Sequence, residues 1–276
     1  MKPITRALAD AARRLSATSD TARLDAELLM AEALHIDRDR LLLDPPNREP
    51  PDRFWDMVQR REAGEPVAYI TGRRAFWNIE LHVGPGVLIP SPDSEVLISS
   101  AIEHFEGTDG PARILDLGTG PGTLLLAALD LWPDAVGIGV DSSRRALSYA
   151  SANARRLDLE KRATLQLGDW AQGIKGTFDL ILCNPPYVAE NEPLGAGVAE
   201  HEPDEALFAG PEGLDQIRRL APDIPRLLAS GGLAAVEIGP TQGEAATALL
   251  ERDGLAARVA KDLGNRDRAI LLTWVK

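Results

Sequence analysis

A chain of 276 residues exceeds the ~150-residue prior for one domain, so one large domain or two unequal ones are expected. With 44% hydrophobic and 26% charged residues the composition is that of a globular protein, not a disordered or fibrous one. No apolar run approaches the ~18 residues of a membrane span, and one cysteine and four histidines without ligand spacing exclude a disulfide framework and give no metal site. The single Cys183 fits a reducing compartment, and a cytoplasmic location is expected. The first residues lack the apolar stretch of a secretory signal. Arg6, Arg13 and Arg14 would suit a transit peptide, but an amphipathic first helix is the expected reading. Residues 1–74 carry 13 basic and 13 acidic side chains, so the whole net charge of −12 lies in the remainder, 17 against 29. That leaves no cationic excess for displacing counterions from a duplex, so direct nucleic-acid binding is not expected.

In chain order, the first ~65 residues read as short helices. Ile4, Leu8, Ala11, Ala12 and Leu15 share a helical face, as do Leu24, Leu28, Ala31 and Leu34. Asp37 can cap a short helix Asp39 to Leu43 that Pro45-Pro46 stops, and Pro51 suits the first turn of another through Phe54, Trp55 and Val58 to a stop near Gly64. Phe76 to Val83 then alternates, Gly84-Pro85-Gly86 turns and Val87-Leu88-Ile89 runs back, which is a hairpin signal. The expected division is a helical domain over 1–72, a β-hairpin linker over 73–95 and an α/β domain over 96–276.

From residue 112 strands alternate with helices. Strands are expected at Arg113–Leu117, Val136–Val140, Thr164–Leu167, Leu180–Cys183 and Leu233–Ile238, and helices at Thr123–Trp132, Ser143–Leu157, Leu214–Leu228 and Gln242–Arg252. Such alternation means a mostly parallel sheet. Ala256–Lys261 and Ala269–Trp274 can add an antiparallel pair at its edge, for seven strands in all.

Ligands of open α/β sheets sit beyond the carboxyl ends of the strands. The first such end is Asp116-Leu117-Gly118-Thr119-Gly120-Pro121-Gly122. Its spacing is G-x-G-x-G, because Thr123 stands where a dinucleotide fingerprint starting at Gly118 needs its third glycine, and it resembles the turn of S-adenosylmethionine-dependent methyltransferases. Asp141 ends the second strand, where a carboxylate can accept both hydroxyls of a ribose; the plainer role is to cap the next helix. Trp170, after Gly168-Asp169, can cover an adenine ring or simply fill the core. The fourth strand runs into Asn184-Pro185-Pro186-Tyr187. An amide or aniline-like NH₂ delocalises its lone pair and must be held by two acceptors, which the Asn184 side-chain oxygen and the Pro185 carbonyl can supply, while the prolines stiffen the turn and Tyr187 packs on the planar group. Cys183, just before it, reads as a buried strand residue and not as a nucleophile.

These motifs together are similar to those of the HemK/PrmC family, the peptide-chain release factor N5-glutamine methyltransferases. The resemblance runs nearly end to end: a helical leader, Glu65-Pro66-Val67-Ala68-Tyr69-Ile70-Thr71-Gly72, Phe76-Trp77, Leu88-Ile89-Pro90, the Asp116–Gly122 turn, Asp169-Trp170, Asn184–Tyr187, His201-Glu202-Pro203 with Ala206-Leu207, Gly231-Gly232 and Glu237-Ile238-Gly239. It implies a Rossmann-like class I methyltransferase domain behind an N-terminal helical substrate-recognition domain. It implies S-adenosylmethionine along Gly118, Thr119, Gly120, Pro121, Gly122, Asp141, Trp170 and Asn184, with S-adenosylhomocysteine as product and no metal. Asn184, Pro185, Pro186 and Tyr187 would take the substrate, the first two and Tyr187 as catalytic residues. That substrate is the glutamine of the Gly-Gly-Gln loop of class I release factors, methylated by a monomeric enzyme. A ribosomal protein glutamine is the alternative, and a DNA adenine, which shares N-P-P-Y, a more distant one. Two residues depart from the family pattern: Ser91, where I-P-R-P carries arginine, and Pro121, where threonine or serine is common. Glu190–Glu205 holds six acidic residues and no lysine or arginine, a solvated loop or one that steers a basic partner surface.

Overall fold

The computed structural model describes residues 2–193 and 198–275. The chain divides into two compact units, Met1–Arg73 with Pro193–Glu202, and Arg74–Glu192 with Pro203–Lys276. Residues 194–197 of the acidic stretch lie outside the described residues. Among the described residues no helix is long and apolar enough to cross a membrane.

The first unit packs helices Pro3–Leu15, Ala22–Leu34, Arg38–Leu43, Asp52–Glu62 and Val67–Thr71 around Ile4, Leu8, Leu15, Leu29, Met30, Leu41, Phe54 and Val58. The first helix buries the expected face. The second does not: Leu24 is 40% exposed, and Ala26, Leu29, Met30 and Ala33 go inward with Asp25 and Glu27. Charged partners make that possible. Asp25 accepts hydrogen bonds from Ser19, Thr21 and Arg61, and Glu27 from Arg23 and Arg38, so neither carboxylate is left unpaired on burial.

The second unit opens with a two-stranded sheet, β1 Arg73–Phe76 and β2 Ile79–His82. The hairpin expected here turns at Trp77, with φ 53°, and not at Gly84–Gly86, and Val87–Ile89 forms no strand. The groups that a returning strand would have bonded are already taken. The fully buried Asn153 accepts from the His82 N–H at 2.7 Å and donates to the His82 carbonyl at 3.0 Å.

Behind it lies a seven-stranded sheet built from β3 Arg113–Leu117, β4 Val136–Asp141, β5 Ala163–Leu167, β6 Phe178–Cys183, β7 Leu228–Glu237, β8 Leu255–Lys261 and β9 Asp267–Trp274. Their order is β5-β4-β3-β6-β7-β9-β8, parallel except for β9, which runs antiparallel to both its neighbours. The chain leaves β3 outward through β4 and β5, then returns to β3's other side with β6 and β7. That reversal opens a crevice beyond the carboxyl ends of β3 and β6. Helices Thr123–Leu131 and Arg144–Arg156 follow β3 and β4, the first burying Leu124 to Leu129. The long helix expected at 214–228 is instead Asp215–Leu220 and Ile224–Leu227, because Pro222 and Pro225 each remove a donor from the ladder. Glu95–His104, a helix that periodicity did not reveal, leads into β3.

Candidate active site

The carboxyl ends of β3, β4, β5 and β6 converge on a cavity of ≈ 300 Å³, large enough for a small-molecule ligand. Among its lining residues are Leu88, Ser91, Asp116, Asp141, Trp170 and Asn184.

After β3 the chain turns through three residues that glycine alone adopts easily: Gly118, Gly120 and Gly122 have φ of 76°, 57° and 92°. The N–H groups of Gly118 and Thr119 both donate to the Val140 carbonyl at 2.9 Å, which ties the turn to β4. A side chain on Gly118 would meet the Trp170 ring at 3.2 Å, so glycine here lets the indole lie against the backbone. Thr119 points inward, its hydroxyl donating to Asp116 Oδ2 at 2.7 Å, and only its backbone is left for a ligand. Pro121 lines the cavity and its carbonyl accepts from Asn153. Gly122 does not line the cavity; it starts helix Thr123–Leu131, where a Cβ would strike Leu126.

Two carboxyls sit under this turn. Asp116 Oδ2 accepts from Thr119 and from the Leu125 N–H, while Oδ1 is buried without a partner among the described residues. Burial pushes Asp116 up to about 7, against the pull of those two donors. Asp141 Oδ2 accepts from the Gly120 N–H and Oδ1 from the Ser143 N–H, both at 2.8 Å. The next helix is capped by Ser143, whose Oγ accepts from the Ala146 N–H, so Asp141 is not the cap. Burial raises the Asp141 carboxyl too, and Glu205 across the cavity adds to the rise.

After β5, Trp170 takes a left-handed φ of 49° and its indole N–H donates to Gln216 Oε1 at 3.1 Å. Gln216 also accepts from Arg219, which holds both oxygens of Asp169. No local signal in the sequence marks Gln216 and Arg219; only the fold carries Asp215–Leu220 to the mouth of β5.

After β6, Asn184 lines the cavity and its Nδ2 donates to Ser94 Oγ at 3.1 Å. Pro185 and Pro186 are buried, and of the two only Pro186 lines the cavity. Tyr187 does not line it either. Its carbonyl accepts from Gln242 Nε2 at 2.9 Å, and its hydroxyl lies beside Glu237, where burial raises its pKa. Val188 pairs with Leu207 and Ala209 through backbone hydrogen bonds of 2.9 Å, which fixes the chain leaving the turn. Glu237, at the end of β7, is 1% exposed, both its oxygens lack a hydrogen bond of good geometry, and burial pushes it up to about 7. Cys183 is buried and burial raises its thiol well above the ordinary value, so it carries no thiolate at neutral pH. Ser91 lines the cavity and accepts the Asp93 N–H at 3.2 Å, starting the 3₁₀ turn Pro92–Ser94, and Arg74 donates to the Pro90 carbonyl beside it.

Residues 6–72 match the family described as PrmC N-terminal domain, and residues 109–252 the family described as methyltransferase domain. The release factor glutamine methyltransferase of Caulobacter vibrioides is 41% identical over 259 residues, covering 91% of this chain and 89% of its own. That of Cereibacter sphaeroides is 41% identical over 272 residues and covers 96% of each. Among solved structures, a methyltransferase from Pyrococcus furiosus superposes with a TM-score of 0.53 at 17% identity, over 79% of this chain and 98% of its own, which supports the Rossmann-like methyltransferase fold. Identity at this level, spread over both units, makes the chain a member of the release factor glutamine methyltransferase family.

Proposed function

We propose that this chain transfers a methyl group from S-adenosylmethionine to the side-chain amide nitrogen of the glutamine in the Gly-Gly-Gln motif of class I peptide-chain release factors. The observation that carries the reading is the Asn184–Tyr187 turn, with Asn184 and Pro186 on the same cavity as the glycine turn, Asp141 and Trp170. The residues fit the cofactor chemically. Asp116 Oδ1, buried and unpartnered, suits a cationic amino group. Asp141 can accept ribose hydroxyls with its remaining lone pairs, the Trp170 ring offers a face to the adenine, and the Gly118–Pro121 backbone leaves room for close approach. When bound, S-adenosylmethionine supplies a methyl group activated by a positively charged sulfur.

The protein's task is then to hold the nitrogen. Asn184 commits its Nδ2 to Ser94, which leaves Oδ1 to accept one amide N–H of the glutamine. The Pro185 carbonyl is the acceptor proposed for the other, although Pro185 is buried and does not line the cavity, and no proline N–H competes at the turn. With both N–H bonds held, the nitrogen would be presented to the activated methyl group in one fixed orientation, and alignment of this kind accounts for up to ~7–11 kcal/mol of barrier. No strong base would be needed beforehand, because the amide proton becomes acidic only as the N–C bond forms and the C–S bond breaks; it could then pass to solvent as the neutral thioether leaves. Asp116, Asp141 and Glu205 line the cavity and favour a cationic cofactor, while Asp169 is paired with Arg219, which lines it too.

Two measurements test the assignment. After incubation with the protein and S-adenosylmethionine, mass spectrometry of a class I release factor shows one added methyl on the tip-loop glutamine; an unmodified factor, with label found instead on a ribosomal protein, rejects the substrate. Asp141→Ala raises the cofactor Kd about tenfold or more, since it removes an acceptor for the ribose and the anchor of the Gly120 and Ser143 N–H groups, while kcat at saturating cofactor changes much less. An unchanged Kd in calorimetric titration would refute the ribose role.

A further inference from the structure

An asparagine amide is nearly symmetric in shape, and a half-turn of its terminal bond exchanges an acceptor for a donor. If Asn184 presented its NH₂ to the substrate NH₂, two donors would meet and the nitrogen would not be held. Something must decide which end faces the cavity. The group bonded to Asn184 is Ser94 Oγ, at 3.1 Å, from the short 3₁₀ turn Pro92–Ser94, and Ser94 is 1% exposed. A hydroxyl both donates and accepts, so a serine alone would tolerate either end of the amide.

We propose that Ser94 is a positioning residue that, backed by Glu237, locks the Asn184 side chain with its oxygen toward the substrate. The Glu237 carboxyl faces the Ser94 and Tyr187 hydroxyls, with Arg268 and Asp93 as its charged neighbours. Among the described residues both Glu237 oxygens are buried without a well-formed partner, so this carboxyl demands donors. Neutral or ionised, this carboxyl keeps an acceptor oxygen, and Ser94 turns its proton to it, which leaves only the Ser94 lone pairs for Asn184. A lone pair accepts the Asn184 Nδ2–H and repels Oδ1, so the wrong amide orientation loses its hydrogen bond. The order Asn184 to Ser94 to Glu237 thus carries a direction from a buried carboxyl at the end of β7 to the substrate-facing atom at the end of β6. Tyr187, whose hydroxyl shares Glu237, ties the other end of the N-P-P-Y turn to the same group.

This inference rests on the proposed methyl transfer to a glutamine amide, and the test separates the two. The full-length protein and Ser94→Ala, Ser94→Thr, Asn184→Ala and the Ser94→Ala/Asn184→Ala double variant are assayed for methyl transfer to a class I release factor, alongside calorimetric titration with S-adenosylhomocysteine. Ser94→Ala is expected to lower kcat about ten- to a hundredfold with the titrated Kd within about twofold, and Ser94→Thr, which keeps the hydroxyl, to restore kcat to within about threefold of the wild type. In the Asn184→Ala background Ser94→Ala is expected to cost nothing further, because its effect passes through Asn184, whereas a merely structural loss would add. Should alanine unsettle the fold, as lost S-adenosylhomocysteine binding would show, Ser94→Cys serves in its place with the same expected fall in kcat. Wild-type kcat in Ser94→Ala, additive losses in the double variant, or a threonine variant as impaired as the alanine one each overturn the positioning role. A wild-type protein that transfers no methyl group to a release factor overturns the functional reading, and this role with it.

Discussion

Asn184→Ala lowers kcat for methyl transfer by about 10²–10³-fold and moves the cofactor Kd by less than about threefold. The magnitude is that of removing one preorganised hydrogen-bonding group at a reacting centre. The split follows from where Asn184 sits. It follows β6, on the far side of β3 from Asp141 and Trp170, and among the described residues its side chain hydrogen-bonds to Ser94 and not to the glycine turn. Loss of its oxygen frees one amide N–H of the glutamine and lets the nitrogen drift from the methyl group. The Gly118–Pro121 turn, Asp116 and Asp141 keep their own hydrogen bonds throughout. Kinetics at saturating cofactor and direct titration check the two halves separately. Loss of cofactor binding equal to the loss of rate would assign Asn184 to the cofactor instead.

The second large effect is on stability against pH. Desolvation holds the Glu237 carboxyl at about 7 in the folded protein, against an ordinary value of 4.5 in the unfolded chain. Between those values the folded state keeps a proton that the unfolded state has released. Stability therefore falls as pH rises through this window, and the loss is complete above the folded value. The span corresponds to a change on the order of 3 kcal/mol. Asp116, raised from 3.8 to about 7 by the same cause, acts in the same direction. Glu237→Gln keeps the shape and removes the titration, so in denaturant unfolding between pH 5 and 8 it flattens the slope while the Asp116 part remains. The exposed Asp44 and half-buried Glu62 carboxyls oppose this trend only at lower pH, since ion pairs with Lys2 and Arg14 hold them below their ordinary range. Equal slopes in wild type and Glu237→Gln would mean that Glu237 is ionised in the folded state across the whole range.

What could be read from the chain without its structure divides along a physical line. Turns at strand ends are local events. Gly118, Gly120 and Gly122, Asp141, and Asn184 through Tyr187 announce themselves because backbone conformation and strand position are written in neighbouring residues. The parallel core was legible for the same reason, in the alternation of apolar strands with helices. Pairing across long distances was not. Asn153 occupies the place of a third hairpin strand from 71 residues away, so the turn at Gly84–Val87 forms but no strand returns from it. The inward face of Ala22–Leu34 was concealed by Asp25 and Glu27, which look exposed until Arg61, Arg38 and Arg23 are placed beside them. Ser94 lies 90 residues from Asn184, and Gln216 46 from Trp170. Hydroxyls and amides of this kind have no periodicity to betray them, and only the folded chain shows which partner each has.

The most direct test of the account is transfer of labelled methyl from S-adenosylmethionine to a purified class I release factor, with a Gln→Ala tip-loop factor and the Asn184→Ala protein run in parallel. Label is expected in the wild-type factor, none in the Gln→Ala factor and a rate lower by about 10²-fold or more with Asn184→Ala. Label that persists in the Gln→Ala factor, or a full rate without the Asn184 side chain, would contradict it.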